Sequence, residues 1–284
     1  MQAELIDDAV MAAARAIRDA DALLIGAGAG MGVDSGLPDF RGTEGFWRAY
    51  PAFKQLELRF EQLASPTWFV RDPHLAWGFY GHRLSLYREA KPHAGFERLL
   101  RWAKGKRAGW FVFTSNVDGH FQRAGFDPSR VLECHGSIHH LQCARPCRGE
   151  IWPADGFSVQ VNSGTMRAAD PLPRCEGCGG VARPNVLMFS DALWLDARTA
   201  ERYAEYDDWV RSLGSQRARL AIVEIGAGSA VPTVRAESQR LARLLGAPLI
   251  RINPHEDHGP SGTIPIPLPA ATALESIERA IGLC

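Results

Sequence analysis

Neither sign of charge is in surplus: Lys plus Arg number 32 and Asp plus Glu 32, a formal net charge of zero. A chain so balanced has no field of its own to gather nucleic acid or anionic lipid, so no direct nucleic-acid partner and no membrane are expected. No uninterrupted apolar run approaches the ~20 residues of a membrane span. Residues 1–8 are acidic and lack the basic start and apolar core of a secretory signal, so the expected location is cytoplasmic. Cysteine is sparse, six in 284 residues, and four of the six fall in two close pairs. That usage argues against a disulfide framework and for metal ligation in a reducing compartment. Repeats and low-complexity tracts are missing too. The 46% apolar fraction is enough for a sizeable core, and the length suits one large domain or one large and one small.

Two familiar phosphate-binding fingerprints are also absent. A glycine-rich stretch follows the apolar run Leu23-Leu24-Ile25, with glycine at every second position from Gly26 to Gly32. A Gly-x-Gly-x-x-Gly/Ala pattern started at Gly26, Gly28 or Gly30 ends on Met31, Val33 or Ser35, so none fits. No Gly-Lys-Ser/Thr follows either. Glycines directly after a buried strand still let backbone approach a ligand and leave amides free for anionic oxygens, so a phosphate-bearing ligand is the first expectation.

What the stretch does match is longer. Gly28-Ala29-Gly30-Met31-Gly32-Val33-Asp34-Ser35-Gly36-Leu37-Pro38-Asp39-Phe40-Arg41-Gly42 resembles the first signature of the sirtuins, the NAD-dependent protein deacylases. It departs from that signature at Gly32, where the family has Ser, and at Leu37, where it has Ile. The resemblance implies that Gly28, Ala29, Gly30, Asp39, Phe40 and Arg41 bind NAD.

Further along, alternating patterns predict the rest of the fold. Ile6, Val10, Ala14 and Ile17 recur at helical spacing. Residues 43–91 mix aromatics with charge between prolines and read as inserted helices, a candidate lid. Strands are expected at 110–114, 131–134, 186–189, 220–225 and 248–253, and helices around 96–103 and at 197–213, 234–245 and 271–281. Residues 137–183 read as irregular and 265–269 as an extended connector. Strand–helix alternation of this kind implies an α/β fold, a Rossmann-like doubly wound parallel sheet with ligands at its carboxyl edge. A smaller zinc-binding module and the inserted helices would interrupt it. The expected division is 1–42, 92–136 and 184–284 for the NAD-binding part, 43–91 for the helical insertion and 137–183 for the zinc module.

Three further segments carry chemistry. Thr114-Ser115-Asn116-Val117-Asp118 resembles the sirtuin Thr-Gln-Asn-Ile-Asp, with Ser115 in place of Gln. The resemblance makes Asn116 catalytic, ordering water and ribose, and has Asp118 hold the nicotinamide amide and Ser115 stand at the ribose. Glu133-Cys134-His135-Gly136 contains the family's His-Gly, which makes His135 the general base; imidazole titrates nearest neutrality. His139 and His140 have no comparable support and read as ordinary residues. Gly226-Ala227-Gly228-Ser229-Ala230-Val231 resembles the family's Gly-Thr-Ser-Leu-x-Val and Ile252-Asn253 the Ile-Asn that contacts the adenosine end of NAD, implying Gly226, Ser229 and Asn253 as NAD contacts.

Cys143, Cys147, Cys175 and Cys178 can present four thiolates to one structural zinc. Cys134 and Cys284 read as unpaired, inert thiols. Arg183-Pro184-Asn185-Val186-Leu187-Met188-Phe189 resembles the family strand that pairs with substrate peptide, which points to Val186 and Phe189. Tyr80 and Arg83, spaced i,i+3, share a helix face. In sirtuins that remove succinyl or malonyl groups a Tyr-x-x-Arg here binds the acyl carboxylate. The expected activity is NAD-dependent deacylation of an acylated-lysine protein, with nicotinamide and O-acyl-ADP-ribose as products. Its rivals are an NAD glycohydrolase, an ADP-ribosyltransferase and a non-catalytic NAD-binding sensor.

Overall fold

Ala22–Ala27 (β1) is buried throughout, and its side chains alternate between two cores. Leu23, Ile25 and Ala27 join one core, Ala22 and Leu24 the other, which is how a central strand covered on both faces must read. The structure, a computed structural model, describes residues 2–39, 42–55 and 57–283. Its remaining strands in chain order are β2 (Trp110–Thr114), β3 (Val131–Glu133), β4 (Gly136–Cys143), β5 (Ile151–Pro153), β6 (Val161–Asn162), β7 (Arg167–Ala168), β8 (Ala182–Val186), β9 (Leu220–Ile225), β10 (Leu249–Ile252) and β11 (Ile264–Ile266).

Six strands form one parallel sheet in the order β11-β10-β9-β1-β2-β3. Numbered within the sheet this is 3-2-1-4-5-6 read from the other edge, the doubly wound order, and the strand order reverses between β1 and β9. The helices used below are α1 (Gln2–Asp19), α2 (Gly30–Val33), α3 (Gly42–Ala49), α4 (Pro51–Gln55), α5 (Phe60–Leu63), α6 (Trp68–Arg71), α7 (Pro73–Glu89), α8 (Ala94–Lys104), α9 (His120–Arg123), α10 (Ala197–Gln216), α11 (Thr233–Leu245) and α12 (Ala270–Leu283). Helices α1, α8 and α12 contribute to the core on one face of the sheet and α10 and α11 to the core on the other. The expected α/β sheet is therefore present. Val10, Ala14 and Ile17 of α1 are all in the first core, as their spacing predicts.

Three elements differ from the sequence reading. Residues 186–189 do not form a strand: β8 ends at Val186, and the amides of Leu187 and Phe189 go to the carbonyls of His135 and Ala64 instead of a ladder. Residues 137–143 are not irregular but continue β4, which pairs antiparallel with β5 and β8 in a three-stranded sheet. The proline-rich connector begins as the edge strand β11, where Pro265 lies opposite Arg251. A proline is tolerated only at such an edge.

A third core joins the inserted helices α3–α7 to the small sheet. Helix α7 is its spine. Asp72 caps it by accepting from Leu75 N (3.1 Å) and is gripped at both oxygens by Arg167 (2.8 and 2.9 Å), while Trp77 Nε1 donates to Ala182 O (2.8 Å). Gly78 lets α7 touch the β6–β7 hairpin: a Cβ there would lie 1.8 Å from Met166 O, a backbone atom. Gly78→Ala should therefore cost about 1–3 kcal/mol in urea unfolding. Gly214→Ala, with nothing within 4 Å of its Cβ on the exposed face of α10, should be neutral or stabilising by up to about 1 kcal/mol.

Candidate active site

The carboxyl ends of β1 and β9 meet backbone against backbone. A Cβ on Gly28 would lie 2.6 Å from Ala227 Cα, and one on Gly30 2.6 Å from Gly226 Cα. Gly226 itself has a φ of +61°, a conformation that favours glycine. Gly28 N donates to Ile225 O (2.9 Å), Gly30 N to Gly226 O (3.0 Å), Met31 N to Gly28 O (3.0 Å) and Gly32 N to Ala29 O (3.0 Å). These four amides are thus spent within the protein, contrary to the expectation that the stretch leaves its amides free. The glycines here serve close approach. A second source of donors stands opposite: α11 begins at Thr233 without a side-chain cap. Its first amides, which have no intrahelical partner, lie at the same switch point and suit a pyrophosphate.

Around that crevice the structure gathers most of the residues singled out from sequence. Thr114 Oγ1 donates to Ala27 O (2.9 Å) and accepts from Asn116 N (3.0 Å). Asn116 Nδ2 donates to Gly28 O (3.0 Å), and Ser115 N to Ala27 O (3.1 Å). The β2 loop is thereby tied to the glycine loop. Asp118 is buried and accepts His120 N (2.9 Å) at Oδ1. On the β9 side, Asn253 Nδ2 donates to Ala227 O (3.0 Å), while its Oδ1 receives the amides of His255 and Glu256 (3.0 Å each). Ser229 is exposed, and its amide donates to Glu256 Oε2 (2.9 Å). Ala29 and Asp39 are exposed beside the crevice loop; Phe40 and Arg41 lie outside the described residues.

His135 follows β3 and is partly buried, which lowers its pKa below the ordinary imidazole value. Its Nε2 is 3.3 Å from Thr233 Oγ1, and its carbonyl accepts Leu187 N (2.9 Å). The neighbouring Cys134 thiol is pushed up to about 12 by burial, so it is protonated and inert at neutral pH.

Tyr80 and Arg83 are buried in the third core, which also holds Val117, Val186 and Met188. Arg83 Nε and Nη2 both donate to Tyr87 Oη (3.0 and 2.7 Å), and its guanidinium lies 5.6 Å from the Tyr80 ring centre. Burial raises the Tyr80 hydroxyl to about 12, so it stays a neutral donor. Phe189 is 40% exposed, at a T-shaped 6.0 Å from Phe60.

Two histidines and a threonine to which the sequence reading gave no role brace these loops. His139 Nε2 is 2.8 Å from Asp118 O, and its ring fills the place of a Cβ on Gly119. His93 Nδ1 accepts Gly95 N (3.1 Å), which leaves Nε2–H to donate to Met31 O (3.1 Å). His120 is wholly buried, with neither ring nitrogen partnered among the described residues. Thr233 meets His135. Only the place of His139 in the chain, four residues after His135, could have suggested any of them.

The four paired cysteines converge. Their sulfurs all lie within 4.8 Å of one another, with Cys143–Cys178 at 3.7 Å and Cys147–Cys175 at 3.6 Å. Tetrahedral zinc at ~2.3 Å from each sulfur requires edges of about 3.8 Å. The four thiols are thus positioned to bind one zinc ion.

A sequence model described as the Sir2 family matches residues 28–217. The chain belongs to the Sir2 family. It is 32% identical over 229 residues to a protein of Aquifex aeolicus named NAD-dependent protein deacylase, covering 81% of this chain and 82% of that one. A protein of the same name from Aeropyrum pernix is 31% identical over 285 residues, covering 97% of this chain and 99% of the relative. Among solved structures, a mutant Sir2 homologue in complex with 2'-O-acetyl ADP ribose superposes with a TM-score of 0.67 at 25% identity, covering 95% of both chains. Membership of this family makes the chain NAD-dependent, and its four clustered cysteines are positioned to bind one zinc ion. No helix among the described residues is long and apolar enough to cross a membrane.

One zinc per chain is expected by elemental mass spectrometry. Cys175→Ser should abolish its retention and lower Tm by roughly 5–10 °C, the shift a few kcal/mol produces in a chain this size.

Proposed function

We propose that this Sir2-family enzyme removes acyl groups from protein lysine, with His135 as general base and Asn116 as the second catalytic residue. The observation that carries this reading is the convergence of Asn116, Asp118 and His135 on the switch-point crevice built by Gly28, Gly30 and Gly226. As co-substrate, NAD supplies the ribose carbon that the acyl oxygen attacks as nicotinamide leaves. Asp118 accepts from the nicotinamide amide, and Asn116 orients the ribose and water. His135 takes a proton from a ribose hydroxyl, so that the acyl group passes to ADP-ribose. The braced loops hold both substrates in register and keep bulk water out. Ala29, Asp39, Phe40, Arg41, Ser115, Ser229 and Asn253 complete the NAD contacts in this reading.

The division of labour follows the sequence boundaries: residues 1–42, 92–136 and 184–284 take NAD, 43–91 form the lid and 137–183 the zinc module. Val186 and Phe189 flank the acylated peptide. A cytoplasmic setting, where thiols stay reduced, belongs to the same proposal.

Mass spectrometry of reactions with NAD and acylated peptides should find nicotinamide and O-acyl-ADP-ribose, and His135→Ala should lower turnover by about 10²–10⁴-fold. Free ADP-ribose made without peptide would favour a glycohydrolase instead. Because burial lowers the His135 pKa, the ring remains a neutral base as pH falls through 6.5. The acid limb of kcat/KM should accordingly have its midpoint below 6.5, and a midpoint above it would contradict the assignment.

The acyl preference rests on Arg83. A buried cation held by phenol and aromatic rings suits an anionic acyl tail, since a carboxylate can accept the guanidinium's charge-assisted hydrogen bonds. Succinyl- or malonyl-lysine peptides should therefore be cleaved better than acetyl-lysine. Arg83→Met should reduce that advantage by about 10–100-fold, the value of one charged hydrogen bond. Equal efficiency on both acyl types, unchanged in Arg83→Met, would remove the anionic-acyl assignment.

A further inference from the structure

His135 has one polar side-chain partner among the described residues, the Thr233 hydroxyl at 3.3 Å from Nε2. Thr233 is the first residue of α11, the helix entered from β9, whereas His135 leaves β3 at the far edge of the sheet. The contact therefore spans the crevice. The backbone of His135 is already pinned by Leu187, so the hydroxyl fixes what remains free, the rotation and tautomer of the ring. A general base works only when its second nitrogen is held; elsewhere a carboxylate commonly does this. Here the holder is neutral, and no charged group contributes to the lowered pKa of His135, which comes from burial alone. Nδ1 is not among the sealed, unpartnered polar atoms of the described residues.

We propose that Thr233 is the positioning residue of the general base: Oγ1 accepts from Nε2–H and leaves the Nδ1 lone pair for the ribose hydroxyl. The inference rests on the assignment of His135 above. The O–H bond of the ribose breaks as Nδ1–H forms. The ribose oxygen bonds to the acyl carbon, the resulting imidazolium keeps its Nε2–H on Oγ1, and the Nδ1 proton passes to the substrate lysine nitrogen as its bond to that carbon breaks, water then completing the ester. Threonine suits this place because its branched Cβ restricts χ1 and so fixes the direction of the hydroxyl.

The test separates the two steps of the reaction. Nicotinamide–NAD exchange in the presence of acylated peptide precedes the base step, whereas formation of O-acyl-ADP-ribose requires it. Thr233→Val should slow O-acyl-ADP-ribose formation about tenfold, the worth of one hydrogen bond, and leave exchange and the KM for NAD within about twofold of wild type. Thr233→Ser should recover the rate to within about threefold. In the free enzyme, 15N spectra of His135 should show protonated Nε2 in wild type and a tautomer mixture in Thr233→Val. Equal losses in exchange and acyl transfer, or a raised KM for NAD at unchanged kcat, would make Thr233 a co-substrate contact and overturn the proposal. If His135→Ala is inactive while Thr233→Val matches wild type, the positioning role alone fails. If wild-type enzyme forms no O-acyl-ADP-ribose, the deacylase assignment fails first.

Discussion

The site depends on one close contact, that of the loops leaving β1 and β9. Three glycines make it possible, because Gly28 and Gly30 on one loop face Gly226 and Ala227 on the other at distances no side chain could occupy. Parallel strands at a switch point diverge, one turning to the helices on one face and its neighbour to those on the other. Without interlocked backbone the divergence would leave a gap open to water. With it, the crevice has a floor of carbonyls and amides already hydrogen-bonded to each other. Ligand recognition then falls to side chains and to the uncapped start of α11.

From that floor the bracing spreads outward through short polar links. Asn116 reaches the Gly28 carbonyl, Asn253 reaches Ala227, and Glu256 joins Ser229 to Arg235. His139 holds the Asp118 turn from behind. The link from Asn253 satisfies the carbonyl of buried Ala227, and leaving such a group unpaired costs about 1–3 kcal/mol. The same residues that a reaction would use therefore also hold the loops in place before any substrate arrives. A crevice so preorganised spends less binding energy on ordering itself.

Much of this was legible before any coordinates. The short apolar run Leu23-Leu24-Ile25 reads as a strand buried on both faces, as β1 is, and α1, α10, α11 and α12 lie where helices are expected. The cysteine pairs converge as their spacing allows. What escaped had physical reasons. Residues 137–143 hide a strand because their histidines and glutamine break the apolar alternation, yet Gln142 is buried with its amide paired to Leu193 O and Asn185. Residues 187–189 look like a strand by composition, but their amides are claimed by His135 and Ala64. Amides spent inside a glycine loop cannot be told from free ones by sequence, and neither can a contact such as His135–Thr233, which joins residues 98 positions apart.

The proline in β11 has a consequence for how copies of the molecule meet. Ile266 O accepts Asn253 N (3.1 Å), so the polar groups of Ile266 and Ile264 turn toward β10 and those of Pro265 face outward. At its middle residue the sheet's outer rim thus has no N–H to offer a stranger's strand. An exposed rim of unpaired donors and acceptors is the usual template for edge-to-edge aggregation, and a proline with its ring outward blunts it.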